Sequence, residues 1–196
     1  MAGMPSLREM LTFSFSLIII CTVLYVSVFG VFNDSYLRVG ALLIGGLLVL
    51  LVPKAGPSNP LELLFKLIVA ICLGAGVLQY FRAASEIETG LYFLTNTDIW
   101  LGLLGLLAVV ELTRRSVGLV MASVAAVVLT YGAFGDLAPS FLRHAGITSE
   151  ELIQVLWFSF DGVFGRPMAT VVSTILIFII FGAVLELLAI DQVLVR

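Results

Sequence analysis

Charge is what this chain has least of. Of its 196 residues only 12% are charged, against 61% hydrophobic, where a soluble domain carries roughly 25% charged residues. That deficit excludes a water-covered surface for most of the chain and leaves lipid as its main solvent. The formal net charge is −3, and no Lys/Arg-rich run occurs. Both facts argue against nucleic acid as a partner, which needs a basic stripe, and against a polybasic lipid-headgroup patch. Cysteine is scarce too. Cys21 and Cys72 both sit inside apolar runs and read as inert packing thiols, without the spacing or histidines of a disulfide framework or metal site. The single histidine, His144, stands in a loop segment with no Ser/His/Asp or Cys/His set around it. There is no P-loop, dinucleotide fingerprint or metal-ligand cluster. These absences point away from an enzyme: no catalytic, cofactor-binding or metal residue is assigned, and no cofactor is expected.

What the chain has in plenty is long apolar runs. A bilayer core about 30 Å thick takes roughly 20 apolar residues in a helix. Residues 11–32, 36–52, 61–81, 98–112, 117–134 and 168–190 meet or approach that length. They are continuous rather than alternating, and backbone groups in lipid must bond internally, so helices are favoured over strands. The expected fold is all-α and polytopic, with about six transmembrane helices and one short interfacial helix. The first run is too long for a signal-peptide core and no clear cleavage site follows, so it reads as an uncleaved span.

The breaks carry turn chemistry. Asn33-Asp34-Ser35 is a tight polar turn, and residues 53–60, with Pro53, Pro57 and Pro60, form a loop that no helix crosses. Residues 82–97 and 135–148 are polar connectors. Placing the N-terminus in the cytoplasm puts Arg8, Lys54, Lys66, Arg114 and Arg115 inside and Arg38, Arg82, Arg143 and Arg166 outside, a small bias in the expected direction. Tyr80, Phe81, Tyr92 and Trp100 read as an aromatic belt at one interface.

Several constellations stand out. Glu111, Arg114 and Arg115 are spaced i, i+3, i+4 and can pair locally, either as a simple helix end or as a contact to a neighbouring helix or subunit. Gly118, Ala122 and Ala126 form a small-residue face, as do Ala41 and Gly45; both are packing signals. Thr148 to Glu151 is a capping box that starts a helix running to about Asp161. On it Glu150, Gln154 and Asp161 share one side, and Leu152, Ile153, Leu156, Trp157 and Phe160 cover much of the rest. This helix is too short and polar for a span. It lies along the interface, enters partway, or serves as an arm bracing another part of an assembly. Residues 162–167, with Gly162, Gly165 and Pro167, break it before the last span, and Arg166 is placed to snorkel to headgroups. Glu186, near the end of that span, reads as an interfacial acid.

Two stretches resemble a known family. Asp98-Ile99-Trp100-Leu101-Gly102-Leu103-Leu104, then Val110-Glu111-Leu112-Thr113-Arg114-Arg115-Ser116-Val117-Gly118, with Tyr131-Gly132-Ala133-Phe134-Gly135 ending the next span, is similar to a recurring segment of TRAP (tripartite ATP-independent periplasmic) transporter permeases, closest to the fused TAXI type. His144-Ala145-Gly146, the capped helix, Gly162-Val163-Phe164-Gly165-Arg166-Pro167 and Phe181-Gly182-Ala183-Val184-Leu185-Glu186 follow in the same order. Residues 1–97 fit by hydropathy alone. The resemblance implies a small-subunit-like scaffold over residues 1–135 and the opening of the large-permease-like region over 136–196. It also implies sodium-driven uptake of a solute, often a carboxylate, delivered by a periplasmic binding protein, in a bacterial inner membrane. The family's substrate and sodium sites lie in later spans, so no such residue is carried over. The remaining permease spans are expected as a partner, and the chain is not expected to transport alone. Two other classes remain open: an assembly or regulatory membrane protein, and an intramembrane enzyme.

Overall fold

The computed structural model describes residues 7–30, 33–52, 60–137, 139–140, 143 and 147–188. Among them every element is helical: α1 (Leu7–Phe29), α2 (Asp34–Leu51), α3 (Pro60–Thr89), α4 (Asn96–Ser116), α5 (Leu119–Phe134), a 3₁₀ turn (Gly135–Leu137), α6 (Ser149–Leu156) and α7 (Arg166–Leu187). Helices α1, α2, α3, α4 and α7 are long and apolar enough to cross a membrane, so the protein is a multi-pass, all-α membrane protein. The 16 residues of α5 span only about 24 Å at 1.5 Å per residue, and the 3₁₀ turn continues its course.

The helix ends follow the turn chemistry, with one difference. Asn33 caps α2, its side chain accepting from the Tyr36 N–H at 2.9 Å. Thr95 caps α4, and its own N–H donates to Asp98 Oδ2 at 2.7 Å. Helix α3, however, does not stop near Phe81. It runs to Thr89 because Ala83, Ala84 and Ile87 continue its buried stripe at helical spacing, while Arg82, Glu86 and Glu88 stay on the exposed side. Gly90, at φ +72°, ends it: the Leu91 N–H reaches back to the Glu86 carbonyl at 3.1 Å, a left-handed close that a side chain would strain.

Packing is an arc. Consecutive helices α1 to α5 pack side by side, and α7 returns against α1 and α2. The core lies among α2, α3 and α4, around Val39, Leu73, Val77 and Tyr80. The rim is open: α1 buries only Val23 and Val26, α5 only Ala122, and residues 176–187 of α7 none. In water those faces would be unsolvable; in a bilayer, lipid covers them. Helix α7 is not regular. Its second turn widens into a π-turn at Val171–Ile175, which presses Val172 against Val26 and Leu37. The apolar run over residues 168–190 by itself predicts an unbroken span here.

Candidate functional site

The chain's most elaborate construction is the segment between α6 and α7. Its start is as expected. The Thr148 N–H donates to Glu151 Oε2 at 3.0 Å, and the Glu151 N–H donates to Thr148 Oγ1 at 3.2 Å. The helix then stops at Leu156, not near Asp161. Trp157 and Phe158, both buried, follow directly as the chain leaves the helix. It doubles back, with the Val163 N–H on the Leu156 carbonyl at 2.9 Å, and Phe164 is fully buried as well. The residues that follow α6 therefore do not reach outward: they form an arm braced against the chain's own bundle. Glu150, Gln154 and Asp161 remain exposed, as their shared polar side predicted.

The seat for this arm is made of glycine. The Trp157 ring lies against Gly76 of α3 and Gly105 of α4, and a Cβ on Gly105 would overlap the indole. A Cβ on Gly102 would stand 2.6 Å from Ile153 Cγ2. Gly105 lies roughly 14 Å along α4 from its first residue at 1.5 Å rise per residue, so the ring is seated well inside the bundle rather than at its end. There its Nε1–H donates to the Gly76 carbonyl at 3.3 Å, which answers the one polar atom the indole carries. Around it Phe164 meets Trp157 edge-on at 5.2 Å between centroids and Tyr80 at 4.7 Å.

A polar layer latches the arm at the same end of the bundle. Arg38 is buried; its guanidinium pairs with Asp34, donates to the Phe164 carbonyl at 2.7 Å, and lies 5.1 Å from the Phe160 ring centre. Ser35 Oγ and Asn33 Nδ2 donate to Glu88 Oε1 at 2.7 and 3.1 Å, tying the α1–α2 turn to the end of α3. Asp98, 1% exposed, accepts from Gln79 Nε2 at 2.6 Å and from Thr95. Tyr80, assigned to an aromatic belt on sequence, belongs instead to the core. Phe81 stacks on Tyr36 and Tyr92 packs on Phe158, while Trp100 is exposed.

The opposite end carries the second charged group. Glu111 pairs with both Arg114 and Arg115 at 2.6 Å. Arg115 also reaches Glu62 on α3 at 3.6 Å and covers the Phe65 ring. The i, i+3, i+4 set thus serves as a helix end and as a contact to a neighbouring helix. Arg8 donates to the Leu51 carbonyl at the last turn of α2.

Other sequence candidates fall apart in space. Gly118 does not share a helical face with Ala122; at φ +112° it is the hinge between α4 and α5, and Ala126 is exposed. Ala41 packs against the smaller core cluster, but the close approach on α2 is made by Gly46, against Leu73 and Leu112, not by Gly45. Cys21 is exposed on the outer face of α1 rather than buried. Arg166 and Glu186 are exposed on α7. His144 and Lys54 lie outside the described residues. Among the described residues no three His, Cys, Asp or Glu side chains cluster as metal ligands would. The glycine seat and Arg38 were missed on sequence, although Gly102-Leu-Leu-Gly105 and an arginine four residues after Asp34 inside an apolar run were the visible signals.

Comparison with family models, curated proteins and solved structures finds no match.

Proposed function

We propose that the chain is the scaffold portion of a TRAP-type secondary transporter permease in a bacterial inner membrane, with its N-terminus in the cytoplasm. It supports sodium-driven uptake, by partner spans, of a carboxylate solute delivered by a periplasmic binding protein. On this reading it has no catalytic residue and no cofactor, and residues 136–196 open the large-permease-like region.

The observation that carries the reading is the seating of Trp157 between Gly76, Gly102 and Gly105. Some of the motifs behind the resemblance supply joints. Gly102 belongs to the first motif, with Gly105 one residue beyond it, and Phe164 and Gly165 belong to the turn that locks the arm, while Glu111, Arg114 and Arg115 tie α4 at its far end. A moving carrier needs polar segments that exchange partners deep in the membrane. A static support needs tight interlocking and paired charges, and these joints supply both.

The test is co-purification followed by reconstitution. Tagged chain, extracted in mild detergent, is expected to bring down a multi-span partner. Vesicles holding both, supplied with the binding protein, should accumulate carboxylate only under an inward sodium gradient. Accumulation by vesicles holding this chain alone, or purification without any multi-span partner, would refute the proposal.

A further inference from the structure

A notch of about 170 Å³ lies between α1, α2 and α7. Its walls include Ile19 and Thr22 of α1, Gly40 and Ile44 of α2, and Val172 and Leu176 of α7. Two local features make it. Gly40 has no side chain, and a Cβ built there would meet nothing within 4 Å. The π-turn at Val171–Ile175 brings Val172 against Leu37 and Val26, so α7 touches α2 through Val172 while the space over Gly40 stays open. Ile19, Thr22, Gly40, Ile44 and Leu176 are only half-buried, so the notch faces outward, toward lipid. Gly40 and Ile44 lie roughly 9 and 15 Å along α2 from its first residue at 1.5 Å rise per residue, in the middle part of an 18-residue span.

The occupant follows from size, polarity and charge. A helix is about 10 Å across and does not enter a notch of this volume, whereas a single alkyl chain does. No charged side chain lines it, and the Thr22 hydroxyl already donates to the Ile18 carbonyl at 2.8 Å, so a polar solute would lose its water there without compensation. The other hydroxyl, on Tyr36, belongs to the first turn of α2. The charge sits beyond that end. Met168 packs on the cluster of Val26, Leu37 and Val172. Arg166, two residues earlier, is exposed, and its guanidinium has no partner among the described residues. It precedes Val172 by about 9 Å along α7. The acids near this end of α2 are engaged: Asp34 pairs with Arg38, and Glu88 accepts from Ser35 and Asn33. A free arginine on a long stem beyond an apolar notch matches a lipid whose chain fills the notch and whose phosphate meets the arginine.

From this arrangement we infer that the notch over Gly40 holds one acyl chain of an anionic phospholipid, with Arg166 at the headgroup phosphate. The lipid is thereby a fixed part of the contact between α1, α2 and α7 and not one of the exchanging neighbours along the open rim. The inference does not depend on the scaffold reading.

The test uses the full chain in mild detergent. It is incubated with equal amounts of palmitoyl-oleoyl phosphatidylglycerol and palmitoyl-oleoyl phosphatidylethanolamine, and native mass spectrometry reads what stays bound. The parent chain is expected to retain a single phosphatidylglycerol, favoured over phosphatidylethanolamine about fivefold. Gly40→Leu and Leu176→Trp fill the notch from two different helices, and each should lose the lipid without a lower thermal midpoint. Gly182→Leu adds the same bulk farther along α7, where a Cβ also meets nothing within 4 Å, and should keep it. Arg166→Gln should level the preference between the two headgroups, and Arg166→Lys should restore most of it. Lipid retained by both filling variants, lipid lost equally in Gly182→Leu, or no preference for phosphatidylglycerol in the parent chain would overturn the inference.

Discussion

At the scale of the residue, Trp157 decides more than any other side chain. It is fully buried and hydrogen-bonded. Lipid solvates an indole nearly as well as a protein core does, so the gain from seating it is packing rather than escape from water. Trp157→Ala is therefore expected at the low end for a large core truncation, about 3 kcal/mol, read as a lowered thermal midpoint in detergent. Trp157→Phe keeps most of the ring but leaves the Gly76 carbonyl without its donor, and should cost about 1 kcal/mol. The seat is tested from its other side by Gly105→Leu, whose Cβ overlaps the indole. In a Trp100→Phe background, which leaves Trp157 as the sole tryptophan, this change should expel the ring and shift its emission to the red. An unshifted spectrum would mean that the seat is not where the ring sits.

At the scale of the element, most of the helices were legible because long apolar runs admit one answer in lipid. The start of α6 was legible because a capping box is local chemistry. Its end was not, since Trp157 and Phe158 leave the helix for a seat built by α3 and α4, and no local pattern announces partners so distant in sequence. The end of α3 was misplaced for a related reason. Arg82, Glu86 and Glu88 look like loop residues until the partners of Ala83, Ala84 and Ile87 are known. The capping box also gives the arm a pH dependence. Hydrogen bonds from the Thr148 backbone and side chain hold the Glu151 carboxyl below its ordinary value. A depressed folded-state value stabilises the helix above the unfolded value near 4.5, and that support is lost as pH falls through the lower folded one. Helix content and Trp157 emission should therefore fall on acidification below about pH 4.5. The Glu151→Gln variant should be flatter over this range, since a neutral amide keeps an acceptor without titrating. Identical acid profiles for the two proteins would sink this account.

At the scale of the whole molecule, the two charged ends fix how the bundle stands in the membrane. Following the chain, the α1–α2 turn, the end of α3, the start of α4, the arm and the start of α7 share one end, held together by Arg38, Glu88 and Asp98. The last turn of α2, the start of α3 and the end of α4 share the other, through Arg8, Glu62, Glu111 and Arg115. This requires α5 to cross although it is shorter than the other crossing helices, helped by the continuing turn at Gly135–Leu137. Burying an unpaired charge in lipid is expensive, so mixing the two sets on one side would strand groups that now pair. Single cysteines, placed after Cys21 and Cys72 are replaced by alanine, give a direct measurement with a membrane-impermeant maleimide on intact inverted and right-side-out vesicles. Cysteines replacing Thr89 and Asp161 should label from the same side, and those replacing Arg114 and Leu61 only from the opposite one. If Asp161→Cys and Arg114→Cys react from one side, α5 does not cross. The arm would then have to enter its glycine seat from the wrong face of α4, which the position of Gly102 and Gly105 in the first half of that helix does not allow.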